Sequence, residues 1–190
     1  MPAAPSERRL STAEERRATV LRTALGAFAA RGYYGTTTGE VAKSAGISQA
    51  YVYRLFPDKE ALFLAVAEHC FARIRESLGD GVTQAGGSTP EAVLLAMGEA
   101  YARLIAEENT LLLVQMHAQC AAISEPAVRE VVQRGYARTV EYVRGVSGGT
   151  EDQVQDFFAR GMLCHLVMAV DADGVDAPWA KTLAKGIRHY

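Results

Sequence analysis

Apolar residues recur at spacings of three and four along most of the 190-residue chain, and no run alternates strictly enough to compete as a strand. The pattern predicts an all-α protein. Leu21, Ala24, Leu25 and Phe28 mark one face of a first helix ending near Arg31 and Gly32, with Ser11 and Glu14 or Thr12 and Glu15 as capping boxes at its start. Two much shorter runs follow between Thr36 and Phe56. Thr37 offers its hydroxyl to a helix beginning at Thr38, Glu40 completes a capping box, and Val41, Ala42 and Ala45 form the apolar side. Gly46 stands where a left-handed residue ends a helix at least cost. Ser48 then caps another helix, anchored by Val52, Leu55 and Phe56. Two helices joined by a turn as short as Ala45-Gly46-Ile47 have the spacing of a helix-turn-helix. Pro57-Asp58 opens a longer helix with Leu62, Val66, Cys70 and Ile74 on one side. Residues 1–10 therefore read as a flexible tail, 11–57 as a three-helix unit, and 58–190 as a helical bundle that includes the connecting helix.

Breaks at Gly79-Asp80-Gly81, Gly86-Gly87-Ser88, Ser124-Glu125-Pro126 and Gly145 to Gly149 divide the bundle, giving about nine helices in all. Val93, Leu94, Met97, Tyr101, Leu104 and Ile105 mark one, and Leu111 to Ile123 form another. Val128, Val131, Val132, Tyr136, Val140 and Val143 mark a third, whose polar face pairs Glu130 with Arg134 at i,i+4. From Thr150 to Val170 the helix has two apolar stripes: Phe157, Gly161, Cys164 and Met168 on one side, Met162, Leu163, Leu166 and Val170 on the other. One stripe suits the core of the same chain and the other suits a second copy, with Gly161 permitting close approach, so a homodimer is expected.

The helix after Ser48 leaves Gln49, Ala50, Tyr51, Tyr53 and Arg54 outside its apolar face. Gln can pair bidentately with adenine, and a small residue such as Ala50 lets the backbone approach a major groove. Thr36, Thr37, Thr38, Lys43, Ser48, Tyr53, Arg54 and Lys59 surround the same edge with hydroxyls and positive charge, as contacts to a DNA backbone require. The net charge of −2 looks wrong for such a partner until it is divided. Residues 1–75 hold 11 Lys and Arg against 7 Asp and Glu, a net of +4, and residues 76–190 hold 9 against 15, a net of −6. Positive charge is gathered on the proposed reading head. Arg8 and Arg9 lie in the tail and carry no assignment.

The segment ALGAFAARGYYGTTTGEVAKSAGISQAYVYRLFPDKEALF resembles the DNA-binding segment of tetracycline-repressor (TetR) type regulators over about residues 17–64. The markers are Ala24, Phe28, Gly32, Tyr33, Thr37, Ala42, Ala45, Gly46, Ser48, Tyr53, Phe56, Lys59 and Leu62. The resemblance implies a homodimer on palindromic operator DNA, with a C-terminal domain that dimerises and holds a small apolar or amphipathic effector. It further implies Thr37, Tyr53 and Lys59 as phosphate contacts, and Gln49, Ala50 and Tyr51 as base readers. Gln49, Ala50 and Leu55 stand where Lys, Gly and His are frequent in that pattern, which leaves operator choice to this chain's own residues.

Met97, Tyr101, Met116, His117, Cys120, Phe158, Met162 and His165 are the candidates for an effector cavity, since Met and aromatic side chains adapt to apolar ligands. Periodicity alone does not separate a lined cavity from a filled core, so a C-terminal domain used only for assembly is the alternative. His117 and Cys120 stand one helical turn apart and Cys164 adjoins His165, but adjacent helical residues diverge and there is no Cys-x-x-Cys pair, so no metal site is expected. The Asp171, Asp173, Gly174 and Asp176 run lacks the glycine spacing and final Glu of a calcium loop. No P-loop, His-Glu-x-x-His, Gly-x-Ser-x-Gly or dinucleotide glycine pattern points to an enzyme or a cofactor. No apolar run of signal-peptide or membrane-spanning length occurs, and the three cysteines show no paired spacing, so a reduced cytoplasmic setting without membrane contact is expected.

Overall fold

The computed structural model describes residues 13–187. The caps expected at Ser11 and Thr12, and Arg8 and Arg9, lie outside the described residues. Among those described there are nine α-helices, one 3-10 turn and no strand. In chain order they are α1 Ala13–Gly35, α2 Thr38–Ser44, α3 Gln49–Leu55, α4 Lys59–Gln84, α5 Pro90–Glu107, α6 Asn109–Ala121, α7 Pro126–Ser147, α8 Glu151–Ala169 and α9 Pro178–Ala184, with the 3-10 turn at Ala172–Gly174.

The short helices start where their hydroxyls dictate. Thr37 and Glu40 form a reciprocal capping box on α2, Ser48 accepts from the Tyr51 amide at α3, and Asp58 accepts from the Ala61 amide at α4. Gly46, at φ 66°, makes the turn between α2 and α3. Val41, Val52, Phe28 and Phe56 are sealed from solvent and lock α1, α2 and α3 together, each such side chain contributing about 1.5–3 kcal/mol by burial. Phe28 meets Phe63 edge-on at 4.8 Å between ring centroids, which ties this unit to α4.

Two helices depart from expectation. The first does not end at Gly32 but is interrupted there, at φ 67° and ψ −174°, and continues for one turn to Gly35. A Cβ at Gly32 would stand 2.7 Å from Nδ1 of His117 on α6, so glycine permits both the backbone angle and the approach of α6. The second, α4, runs unbroken through Gly79-Asp80-Gly81. Here glycine serves a crossing rather than a stop: a Cβ at Gly81 would lie 2.6 Å from the Ala96 carbonyl oxygen on α5. Gly135 does the same where α7 crosses α4, since its Cβ would fall 2.3 Å from the Phe71 ring. Gly86 to Ser88 and Ser124 to Pro126 separate helices as predicted, and in the expected break from Gly145 to Gly149 the left-handed Gly148 ends α7 while Gly145 lies inside it. No helix among the described residues is long and apolar enough to cross a membrane.

Candidate nucleic-acid interface and cavity

The turn at Gly46 presents the N-terminal end of α3 at the edge of the three-helix unit, with Ser48, Gln49, Ala50, Tyr53 and Arg54 exposed. Thr37 and Lys43 on α2 are exposed beside it. The Gln49 Nε2 donates to Thr38 Oγ1 at 2.9 Å, and that hydroxyl donates to the Tyr53 hydroxyl at 3.0 Å. α2 and α3 are thus tied by polar contacts at their outer face as well as by the apolar core. Tyr51 is half-buried, with the Arg16 guanidinium 5.4 Å and the Arg54 guanidinium 5.7 Å from its ring centre. Arg16 also donates to the Tyr51 hydroxyl at 3.4 Å. Arg17 donates to the Leu55 carbonyl at 2.9 Å and lies 4.1 Å from the centre of the Phe56 ring.

Three residues expected at this surface have partners within the protein. Thr36 is 1% exposed and donates to the carbonyls of Ala27 and Gly32, so it braces the interrupted end of α1 instead of facing outward. Thr38 is 5% exposed and occupied by Gln49 and Tyr53. Lys59 donates to the Tyr33 carbonyl at 3.0 Å and sits 4.6 Å from the centre of its ring, which fastens the start of α4 to α1. Arg16 and Arg17 add positive charge beside α3 that was not among the expected contacts. The signal available was a pair of adjacent cations on the exposed side of the first helix, which only the fold brings against α3.

The second feature is a cavity of about 520 Å³ between α4, α5, α6, α7 and α8. Phe71, Ile74, Leu78, Leu94, Phe157 and Phe158 supply apolar wall, and Ile187 after α9 closes one side. Volumes of this order suit a small organic ligand. Of the eight residues expected there, Tyr101 and Phe158 are on the wall. The others are not. Met97 is sealed in the core where α5 crosses α4, Met116 packs against Ile105, Leu112 and Cys164, and His117 faces Gly32. Cys120 is exposed, Met162 points outward, and His165 stands behind Tyr101. Periodicity marked the inward sides of these helices but did not reveal which inward residues meet empty space.

A chain of neutral polar groups runs along one wall. The Tyr101 hydroxyl lies 2.8 Å from His165 Nε2 and 3.2 Å from Gln115 Oε1, and Gln115 Nε2 donates to the Tyr136 hydroxyl at 3.4 Å. Gln119 Nε2 donates to Tyr136 as well. His165 is 3% exposed, its Nδ1 has no partner among the described residues, and burial pushes its pKa down to about 4. Burial raises both tyrosines, so the phenols stay protonated near neutral pH. The Cys164 thiol on the same wall is pushed up to about 11, chiefly by burial, which keeps it unreactive.

The C-terminal half of α8 carries an exposed apolar stripe. Met162, Leu166 and Val170 are 45%, 46% and 45% exposed, one helical turn apart, while Cys164 and Val167 are buried beneath them. Trp179 on the adjoining α9 is half exposed. No group of three or more His, Cys, Asp or Glu that could hold a metal ion occurs among the described residues.

Residues 20–66 match the family model for bacterial regulatory proteins of the tetR family. No curated protein matches the chain. Among solved structures, the chain is similar to a TetR-like transcriptional regulator from Rhodococcus sp. RHA1, at 21% identity and a TM-score of 0.66, covering 95% of this chain and 90% of that one. It is similar to the fatty acid degradation regulator FadR from Bacillus halodurans, at 16% identity and a TM-score of 0.65, covering 96% and 100%. A third similar structure is the transcriptional regulator FadR from Bacillus subtilis in complex with stearoyl-CoA, at 16% identity and a TM-score of 0.67, covering 88% and 95%. Identities this low speak for the fold alone.

Proposed function

We propose that this chain, whose N-terminal domain is that of the tetR family of bacterial regulatory proteins, acts as a homodimeric repressor released from a palindromic operator by a small molecule. The observation that carries the reading is the pairing of a capped, exposed α3 with a cavity whose walls reach the same domain. Ser48, Gln49, Ala50 and Tyr51 would enter the major groove, while Thr37, Lys43, Tyr53, Arg54 and Arg16 would line the phosphates beside it. Gln49 has to leave Thr38 to reach a base. The apolar stripe of α8, with Trp179, would pack against a second copy, as a two-fold reading head requires.

Two helices link cavity and head. α4 lines the cavity with Phe71, Ile74 and Leu78, and at its other end Lys59 holds Tyr33. α6 lines it with Gln115, while His117, two residues on, rests against Gly32. A ligand that prefers one setting of these helices would change the separation of two recognition helices held about 34–36 Å apart. Coupling of about 1–3 kcal/mol is typical of such linkage. The fold shared with the Bacillus subtilis regulator in complex with stearoyl-CoA supports a small-molecule effector over a domain used only for assembly. The test is transcription from a reporter promoter carrying DNA selected by the protein. Expression of the chain should silence it. Activation of the reporter would contradict repression, and silencing untouched by any apolar compound that binds the cavity would contradict release.

A further inference from the structure

The hydrogen-bond directions inside the cavity narrow what it can hold. Tyr101 donates its one proton to Gln115 Oε1, and its hydroxyl also lies 2.8 Å from His165 Nε2. Tyr136 is in the opposite position. Both Gln115 and Gln119 donate to its oxygen, so its acceptor capacity is filled and its own proton is left to donate to whatever occupies the cavity. Tyr136 therefore offers the cavity a neutral hydroxyl donor. Around it stand aromatic rings, Phe71, Phe157 and Phe158, with Phe158 set edge-on to Phe157 at 5.4 Å. A ring-bearing guest meets edges and faces there with which it makes aromatic contacts worth about 0.5–1.5 kcal/mol beyond burial.

Charge acts as a filter at the rim. Glu91, Glu99 and Asp156 line the cavity against a single guanidinium, Arg160, and no Lys or Arg stands on the inner wall among the described residues. An anionic head group would meet repulsion at the rim and find no cation inside, and burying it unpaired would cost several kcal/mol.

We infer that the cavity takes an uncharged, ring-containing apolar molecule whose carbonyl-type oxygen accepts the Tyr136 hydroxyl proton, and that it discriminates against carboxylates and phosphate-bearing thioesters. This rests on reading the cavity as the effector site.

The test is calorimetric titration of the full chain with four probes: benzophenone, its oxygen-free counterpart diphenylmethane, 4-benzoylbenzoate and stearoyl-CoA. Benzophenone should bind five- to tenfold tighter than diphenylmethane, as one net hydrogen bond implies. In Tyr136→Phe that preference should vanish while diphenylmethane binds as before, which also shows that the variant is folded. Equal binding of benzophenone and diphenylmethane by the native chain would overturn the donor role of Tyr136. Tighter binding of 4-benzoylbenzoate or stearoyl-CoA than of benzophenone would overturn the uncharged class and leave the effector site standing. Failure of all four to bind would overturn the effector reading itself.

Discussion

Gln49 opens α3, the proposed recognition helix, with its amide already bonded to Thr38, so a base must offer more than a neutral hydroxyl does. A bidentate pairing with adenine meets that condition and is worth about 1–3 kcal/mol of discrimination. Gln49→Ala should therefore lose that much on a selected operator and almost nothing on random duplex, read by fluorescence anisotropy; equal losses on both would remove Gln49 from base readout. Lys43 and Lys59 look alike in the sequence and differ in the fold. Lys43 is exposed, and Lys43→Ala should lower the slope of log affinity against log salt by about one. Lys59 is fastened to Tyr33, so Lys59→Ala should lower the midpoint of urea unfolding, with DNA affinity following stability. The difference is invisible along the chain because the Lys59 partner is a carbonyl 26 positions away. His165 supplies a pH signature. Its depressed pKa means that the unfolded chain binds a proton the native chain refuses between about pH 6.5 and 4, so its contribution is full above that window and is lost as pH falls through it. Native protein should lose up to about 1.4 kcal/mol per pH unit there from this group. His165→Gln should flatten that part of the urea-unfolding profile, and an unchanged slope would show that His165 is protonated in the native state.

At the level of helices, caps and turns were legible because their causes are local. Thr37 with Glu40, Ser48, Gly46 and Asp58 each act within four residues, and each helix start follows from them. Crossings were not legible. Gly81 reads as a helix break in the sequence and serves as a point of close approach for α5, while Gly32 reads as an end and instead marks an interruption cradled by His117. The cavity was missed in six of its eight expected residues for the same reason: an inward face is periodic whether it is filled or hollow. Gly135→Ala would drive a methyl into the Phe71 ring at the α4 and α7 crossing, beside the cavity wall. Overpacking of this kind costs about 1–3 kcal/mol, so unfolding should shift to lower urea concentration. No shift would mean that α7 slides freely over α4.

At the scale of the whole molecule, the division of charge, +4 on residues 1–75 and −6 on the rest, agrees with a basic head carried on an acidic bundle. In the proposed arrangement one head would read half of a site, and the exposed stripe of Met162, Leu166 and Val170 is where a second copy would complete it. Leu166→Glu should give monomers in sedimentation while leaving helix content intact, and should weaken operator binding far more than random binding. Native protein that sediments as a monomer at micromolar concentration would contradict this arrangement. Selection of bound fragments from random duplex DNA brings head, symmetry and spacing into one observation. The account predicts an enriched palindrome whose half-sites lie about one helical turn, or a whole multiple of it, apart. Enrichment of a single unpaired half-site, or of no sequence at all, would contradict it.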